Sequence, residues 1–213
     1  MSRGFSSRSL ASFGLLSLVA SVACDAPEPR PIVTGEQRAE LSEAVRLQRL
    51  TYIREVAETR GFVGRGFLWA GIAQSETGLA HCNSEVGYGC PGPASSDCGG
   101  GAILAGGGDG PCAEQKGGLG MFQFDAGTYA QTIAQYSNNV LTIKGNVDHA
   151  VDFVIKMVGN SVYIGVGDAG AVQWLKNFDI NNATQRDQWI KTVTHYYNGC
   201  RPSICSVYNQ RYA

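Results

Sequence analysis

The sequence predicts one mainly helical domain carrying a single glycine- and cysteine-rich insertion clamped by disulfides. Three observations lead there. Apolar residues recur at helical spacing in six separated stretches, strand-like alternation is scarce, and no internal repeat is visible. A chain of 213 residues fits one domain with a full hydrophobic core and leaves no room for a second of ordinary size. It is expected to stand alone as a monomer.

Charge narrows the range of partners. Charged residues make up 16% of the chain and the formal net charge is −1, so there is no electrostatic footprint for nucleic acid and no polybasic face for anionic lipid. A neutral or modestly polar ligand suits it better, and no cofactor is expected.

The N-terminus carries Arg3 and Arg8, an apolar run from Leu10 to Ala20, and then Ser21-Val22-Ala23-Cys24. A positive start, a short apolar centre and a small residue before a cleavage point predict an export signal over residues 1–23. The run is too short to cross a membrane and stay there. Cys24, directly after the small residue, resembles the cysteine of a bacterial lipobox, which would make it the lipid-bearing first residue of the mature protein. Ser21 stands where leucine is usual, so cleavage with simple release is the alternative. Residues 24–35, with Pro27, Pro29 and Pro31 in alternation, read as an extended tether. The domain proper then spans residues 36–213.

Thr34 and Gln37 have capping-box spacing, and Leu41, Val45, Leu47, Leu50, Ile53 and Val56 form an apolar stripe on the helix they would open. Gly61 stops it, and its Arg and Glu residues read as a solvated face. A second, buried helix runs Phe67-Leu68-Trp69-Ala70-Gly71-Ile72-Ala73-Gln74-Ser75-Glu76-Thr77 and closes at Gly78. A helix is expected from Asp125 or Ala126 to Tyr136, with two more over Val147–Val158 and Asp168–Phe178, Asp168 capping the latter. The last runs from Ala183, capped by Asn182 with Gln185 three residues on, to Tyr197. Val162-Tyr163-Ile164 is the one candidate for a short extended piece.

Between His81 and Gly118 lies the insertion. Gly99-Gly100-Gly101 and Gly106-Gly107-Gly108 lack the Gly-Lys-Ser/Thr ending and the strand-to-helix switch of a phosphate loop, which argues against a nucleotide site. Seven cysteines are an odd count, but setting Cys24 aside leaves Cys82, Cys90, Cys98, Cys112, Cys200 and Cys205. Three disulfides are expected in an exported chain. Cys200 and Cys205 are close enough to staple the loop between them, and the other four pair among themselves in an order left open. None has CxxC spacing, which weakens a metal reading. The insertion is expected to be a floppy loop held by its four cysteines, and functionally the lip or wall of a groove beside Glu76.

Glu76 is the residue with chemistry to offer. A lone carboxyl at the tip of an apolar helix is disfavoured in its charged form by burial, which is what a general acid needs at neutral pH. Capping or pairing at a helix end is the structural alternative. His81 and His149 read as surface residues, and His195 as core or surface, with a position facing the groove one turn before Asn198 as the alternative.

Three motifs stand in a fixed order: Ala70-Gly71-Ile72-Ala73-Gln74-Ser75-Glu76-Thr77-Gly78, Gly118-Leu119-Gly120-Met121-Phe122-Gln123-Phe124-Asp125, and Val193-Thr194-His195-Tyr196-Tyr197-Asn198-Gly199. Together they resemble the lysozyme-like superfamily of bacterial lytic transglycosylases and goose-type lysozymes, with a Glu-Ser at a helix end, a Gly-Leu-Met-Gln turn and a late Ala-Tyr-Asn-x-Gly. The resemblance implies a lysozyme-like helical domain that cleaves the MurNAc-GlcNAc bond of peptidoglycan glycan strands, in the periplasm or cell envelope. It makes Glu76 the catalytic acid and puts Gln123, Met121, Phe122, Tyr197, Asn198 and Thr77 on the substrate side, with Tyr197 close enough to orient Glu76. The alternatives are that Met121 and Phe122 are core, and that Tyr197 and Asn198 merely end a helix. Thr77 replaces serine, Gly120 lengthens the turn, Phe122 replaces its methionine, and Tyr196 replaces alanine. These departures put the shape of the groove in doubt more than the reaction.

A transglycosylase of this kind needs one carboxyl, which returns as base while the sugar's 6-hydroxyl closes a 1,6-anhydro ring. An inverting hydrolase needs a second carboxylate about 6.5–9.5 Å away. Asp125 and Asp109 are the candidates for that role. Asp125 is equally an N-cap for the helix it precedes.

Overall fold

The computed structural model describes residues 41–106, 112 and 118–205. The export signal, Cys24, the tether, the Thr34–Gln37 pair and Asp109 lie outside the described residues. Among those described, six α-helices surround one core, with a two-stranded antiparallel sheet set into the insertion. The fold is mainly helical, as the periodicities predict, and no described helix is long and apolar enough to cross a membrane.

The helices are α1 (Glu43–Thr59), α2 (Phe67–Thr77), α3 (Tyr129–Tyr136), α4 (Ile143–Asn160), α5 (Gly167–Lys176) and α6 (Ala183–Thr192). The axis of the core is α4. Val147, Ala150, Val151, Val154, Met157 and Val158 repeat at three- and four-residue steps and all are buried. Against them lies α2, whose Trp69 is fully buried and donates its indole N–H to Ala150 O at 3.1 Å. Phe62 packs on the same indole with ring centres 5.1 Å apart.

Caps explain where the ends depart from expectation. Ser42 accepts from Val45 N–H at the start of α1, and Thr128, not Asp125, opens α3 in a capping box with Gln131. Asp125 instead accepts from Gly127 N–H at 2.6 Å within its own turn. Thr142 caps α4, which starts at Ile143, four residues before the expected Val147, and α5 begins at Gly167 with Asp168 inside its first turn rather than capping it. Asn182 caps α6 as expected, but the α-helix stops at Thr192 and Val193–Tyr197 continue as a π-helix. Residues 162–164 form a turn rather than an extended piece.

The stripe assigned to α1 is rotated. Leu47 and Leu50 are 64% and 38% exposed, while the buried face is Arg49, Ile53 and Ala57. Arg49 is therefore not part of a solvated face. Its Nη1 donates to Leu79 O at 2.9 Å and its Nη2 to Glu85 Oε1 at 2.6 Å, while Glu85 Oε2 accepts the backbone N–H groups of His81 and Cys82 at 2.7 and 2.9 Å.

The described part of the insertion, residues 81–106, is built around a short sheet. Strand β1 (Cys90–Ala94) pairs with β2 (Ala102–Ala105), with a register irregularity between Pro91 and Ala94 where Pro91 and Pro93 remove ladder donors. Gly99 and Gly100, both at positive φ, make the intervening turn, which accounts for the glycine run. Ile103, Leu104 and Ala105 face the core. Disulfides join Cys82 to Cys98 and Cys90 to Cys112, and Cys200 to Cys205 as expected. Each of the first two closes a loop of a size for which chain entropy gives about 3 kcal/mol. Asp97 then ties the insertion to α4 by accepting Ile143 N–H at 2.6 Å.

Two histidines expected at the surface are inside. His149 lies half-buried against Phe124 and Tyr136, and its Nε2 is buried without a hydrogen-bond partner. His81 is fully buried, with Nε2 3.1 Å from Leu141 O and Nδ1 unpartnered. Burial is the main cause that lowers its pKa to about 4; Arg49 adds to the effect, and the Leu141 carbonyl, Asp97 and Glu85 oppose it. The folded chain then binds fewer protons than the unfolded one between pH 4 and 6.5, so stability falls as pH drops through that window and is unaffected by this group above it. The expected loss is about 3 kcal/mol by pH 4. Denaturant melts from pH 7 to pH 4, alongside NMR titration of the His81 ring, check it: a ring that protonates near 6.5 removes the explanation.

Candidate functional site

The three motifs are distant in sequence and meet at one end of the core. Glu76 is the penultimate residue of α2, which closes because Gly78 adopts a left-handed conformation (φ 65°). Leu79 follows at φ 71°, an uncommon state for a side chain with a Cβ, and Arg49 holds its carbonyl. The end of α2 is thus fixed from behind by a buried cation. Glu76 itself is half-buried rather than sunk in the apolar tip. Its Oε1 accepts from Asn198 Nδ2 at 3.3 Å.

Thr77 is 3% exposed, with its hydroxyl 3.1 Å from Met121 O and 3.3 Å from Ala73 O. It faces the second motif and not solvent. The hydroxyl of Tyr88, from the insertion, donates to Thr77 O at 3.1 Å, a contact with no signal in the sequence.

The second motif is a tight turn that extends the insertion's hairpin. Leu119 bridges both Ala105 and Phe124, and Gly120 N–H donates to Leu104 O at 2.8 Å. Gly120 needs its φ of 72° and its missing side chain, since a Cβ there would lie 2.5 Å from Asn146 Nδ2. Met121 and Phe122 are fully buried, so their side chains belong to the core and do not line a groove. Gln123 is half-buried at φ 51°, and its Nε2 donates to Gly120 O at 2.6 Å. Within this motif the polar side chains with exposed surface are those of Gln123 and Asp125.

The third motif arrives through the π-helix. Its wider turn closes with Asn198 N–H on Val193 O at 3.2 Å. Tyr197, braced edge-on by Phe153 with ring centres 5.4 Å apart, donates its hydroxyl to Phe122 O, and the next residue, Asn198, reaches Glu76. His195 Nδ1 lies 3.2 Å from the hydroxyl of Tyr163.

The first and third motifs thus grip the second through Thr77–Met121 and Tyr197–Phe122, and meet each other at Glu76–Asn198. A separate apolar groove of about 260 Å³ runs between α2 and α6, lined by Leu68, Ile72, Trp189 and Val193 among others. It ends at Ser75, next to Glu76 in sequence, and its lining does not include Glu76, Gln123 or Asn198. Among the described residues, no three His, Cys, Asp or Glu side chains gather as a metal ion would require.

What this arrangement offers chemically is one half-buried carboxyl, held by an amide donor, in a cluster of motifs that includes a tight turn with a half-buried glutamine. No protein-family model, no curated protein and no solved structure matches the chain.

Proposed function

We propose that the protein is a peptidoglycan-cleaving lytic transglycosylase, with Glu76 donating a proton to the glycosidic oxygen between MurNAc and GlcNAc and then acting as base. The observation that carries the reading is that the three motifs pack on one another, the first and third each bonded to the second through Thr77–Met121 and Tyr197–Phe122 and to each other through Asn198–Glu76. Nothing in the local chemistry of any one stretch requires that meeting. A half-buried carboxyl can reach a bulky polymer, and the Asn198 amide fixes its orientation while leaving it able to exchange a proton.

The single-carboxyl mechanism is favoured over hydrolysis because Asp125 is engaged in its own turn with Gly127. No second base is required when the attacking oxygen belongs to the sugar. In this reading the glycan strand is the partner, the export signal and disulfides suit an envelope location, and Cys24 is the candidate lipid anchor.

The products decide the reaction. Mass spectrometry of wall digested by the purified protein is expected to show 1,6-anhydro-muramic ends. Reducing ends would move the assignment to a goose-type hydrolase with Asp125 or Asp109 as second carboxylate, and an intact wall would leave a non-catalytic wall-binding protein.

A further inference from the structure

We propose that Asn146, in α4, is a positioning residue of this site: it fixes the turn that carries Gln123 and the carbonyls that Thr77 and Tyr197 hold. The inference rests on the reading of Glu76 as catalytic acid.

Asn146 is fully buried, and all its hydrogen-bonding groups but one lone pair are accounted for. Its Oδ1 accepts Phe122 N–H at 3.0 Å, and its Nδ2 donates to Leu119 O at 3.2 Å and Val140 O at 3.0 Å. One side chain therefore holds both sides of the Gly120-Met121 step. The absence of a side chain at Gly120 is the counterpart, because Asn146 fills the space a Cβ would take.

The peptide groups it fixes are the ones on which the site is assembled. Phe122 donates to Asn146 and accepts from Tyr197; Met121, one residue earlier, accepts from Thr77. Helices α2, α4 and the π-segment after α6 thus converge on two adjacent residues. Gln123 follows at once, in the left-handed region, so its aim is inherited from the turn. The apolar residues of α4 offer this turn no hydrogen bond, whereas the buried Asn146 amide meets both its N–H and its C=O groups.

The test compares Asn146→Ala with Val154→Ala, a core truncation on the same helix that removes none of these hydrogen bonds. At a temperature well below both melting points, Asn146→Ala is expected to lose about 10²-fold in wall-cleaving kcat/KM, the scale on which small misplacements act, while Val154→Ala stays within about twofold. Equal losses, or none in Asn146→Ala, overturn the proposal. Amide hydrogen exchange gives a readout free of activity. In the unaltered chain Phe122 N–H should exchange as slowly as the amides of α4, and exchange at the rate of an unprotected loop amide overturns the proposal even if Asn146→Ala does not fold. A parent protein that leaves the wall intact while Phe122 stays protected overturns the reading of Glu76, and the hold of Asn146 on the turn stands.

Discussion

Glu76→Gln is expected to lower wall cleavage by about 10²–10⁴-fold, the range that one general acid and base supplies. Glutamine keeps the shape and an oxygen for the Asn198 amide, so the substitution removes the transferable proton and little else. Because Glu76 is half-buried, stability should change by no more than about 0.5 kcal/mol, and the melting point by about 1–2 °C. Turbidity loss of a wall suspension measures the first quantity and a thermal melt the second. Unchanged lysis would remove Glu76 from the reaction. A collapse of the melting point would instead make it a structural carboxylate, which is the alternative its position at a helix end always allowed.

The largest effect on stability is expected at Arg49. Truncating it to alanine leaves Glu85 without its cation and the Leu79 carbonyl without its donor, and breaking a buried pair in this way costs about 3–5 kcal/mol. For a domain of this size that is a fall in melting point of about 10 °C. Lysine should not restore it, since one ammonium cannot reproduce the two directed bonds from Nη1 and Nη2. Because Glu85 also holds the His81 and Cys82 amides, the double variant Arg49→Ala/Glu85→Gln should lose less than the two single losses added together. Strict additivity in chemical denaturation would show that the guanidinium and carboxylate act independently. The same residue braces Leu79 at positive φ, so a loss of lytic rate larger than the loss of folded protein is expected to accompany it.

What was legible in the sequence was whatever has a local period or a local cap. The apolar run from Phe67, Gly78 as its stop, the Asn182 cap and the six paired cysteines all appear as expected. Long-range partners leave no such trace. Arg49 looks like any helix-surface arginine until Leu79 and Glu85 are folded onto it, and Asn146 looks like an ordinary polar residue near a helix start. The strand Cys90–Ala94 reads as a breaker because Pro-Gly-Pro lies inside it, and only pairing with β2 makes it a strand. His81 and His149 were misplaced for the same reason: an imidazole carries no sign of which side of the chain other elements will cover. The sequence offers Glu76, Gln123 and Asn198 as candidates, whereas the Met121 and Phe122 carbonyls through which the three motifs join leave no trace in it.

The π-segment at Val193–Tyr197 has one more effect. A helix is an angular ruler, advancing about 100° with each residue, and a wider turn shifts the phase of everything beyond it. Tyr197, at the end of the segment, and Asn198, just after it, point where they do because of that shift. The same residues wound at the ordinary pitch would carry both side chains further round the axis and take the amide away from Glu76 without altering either residue.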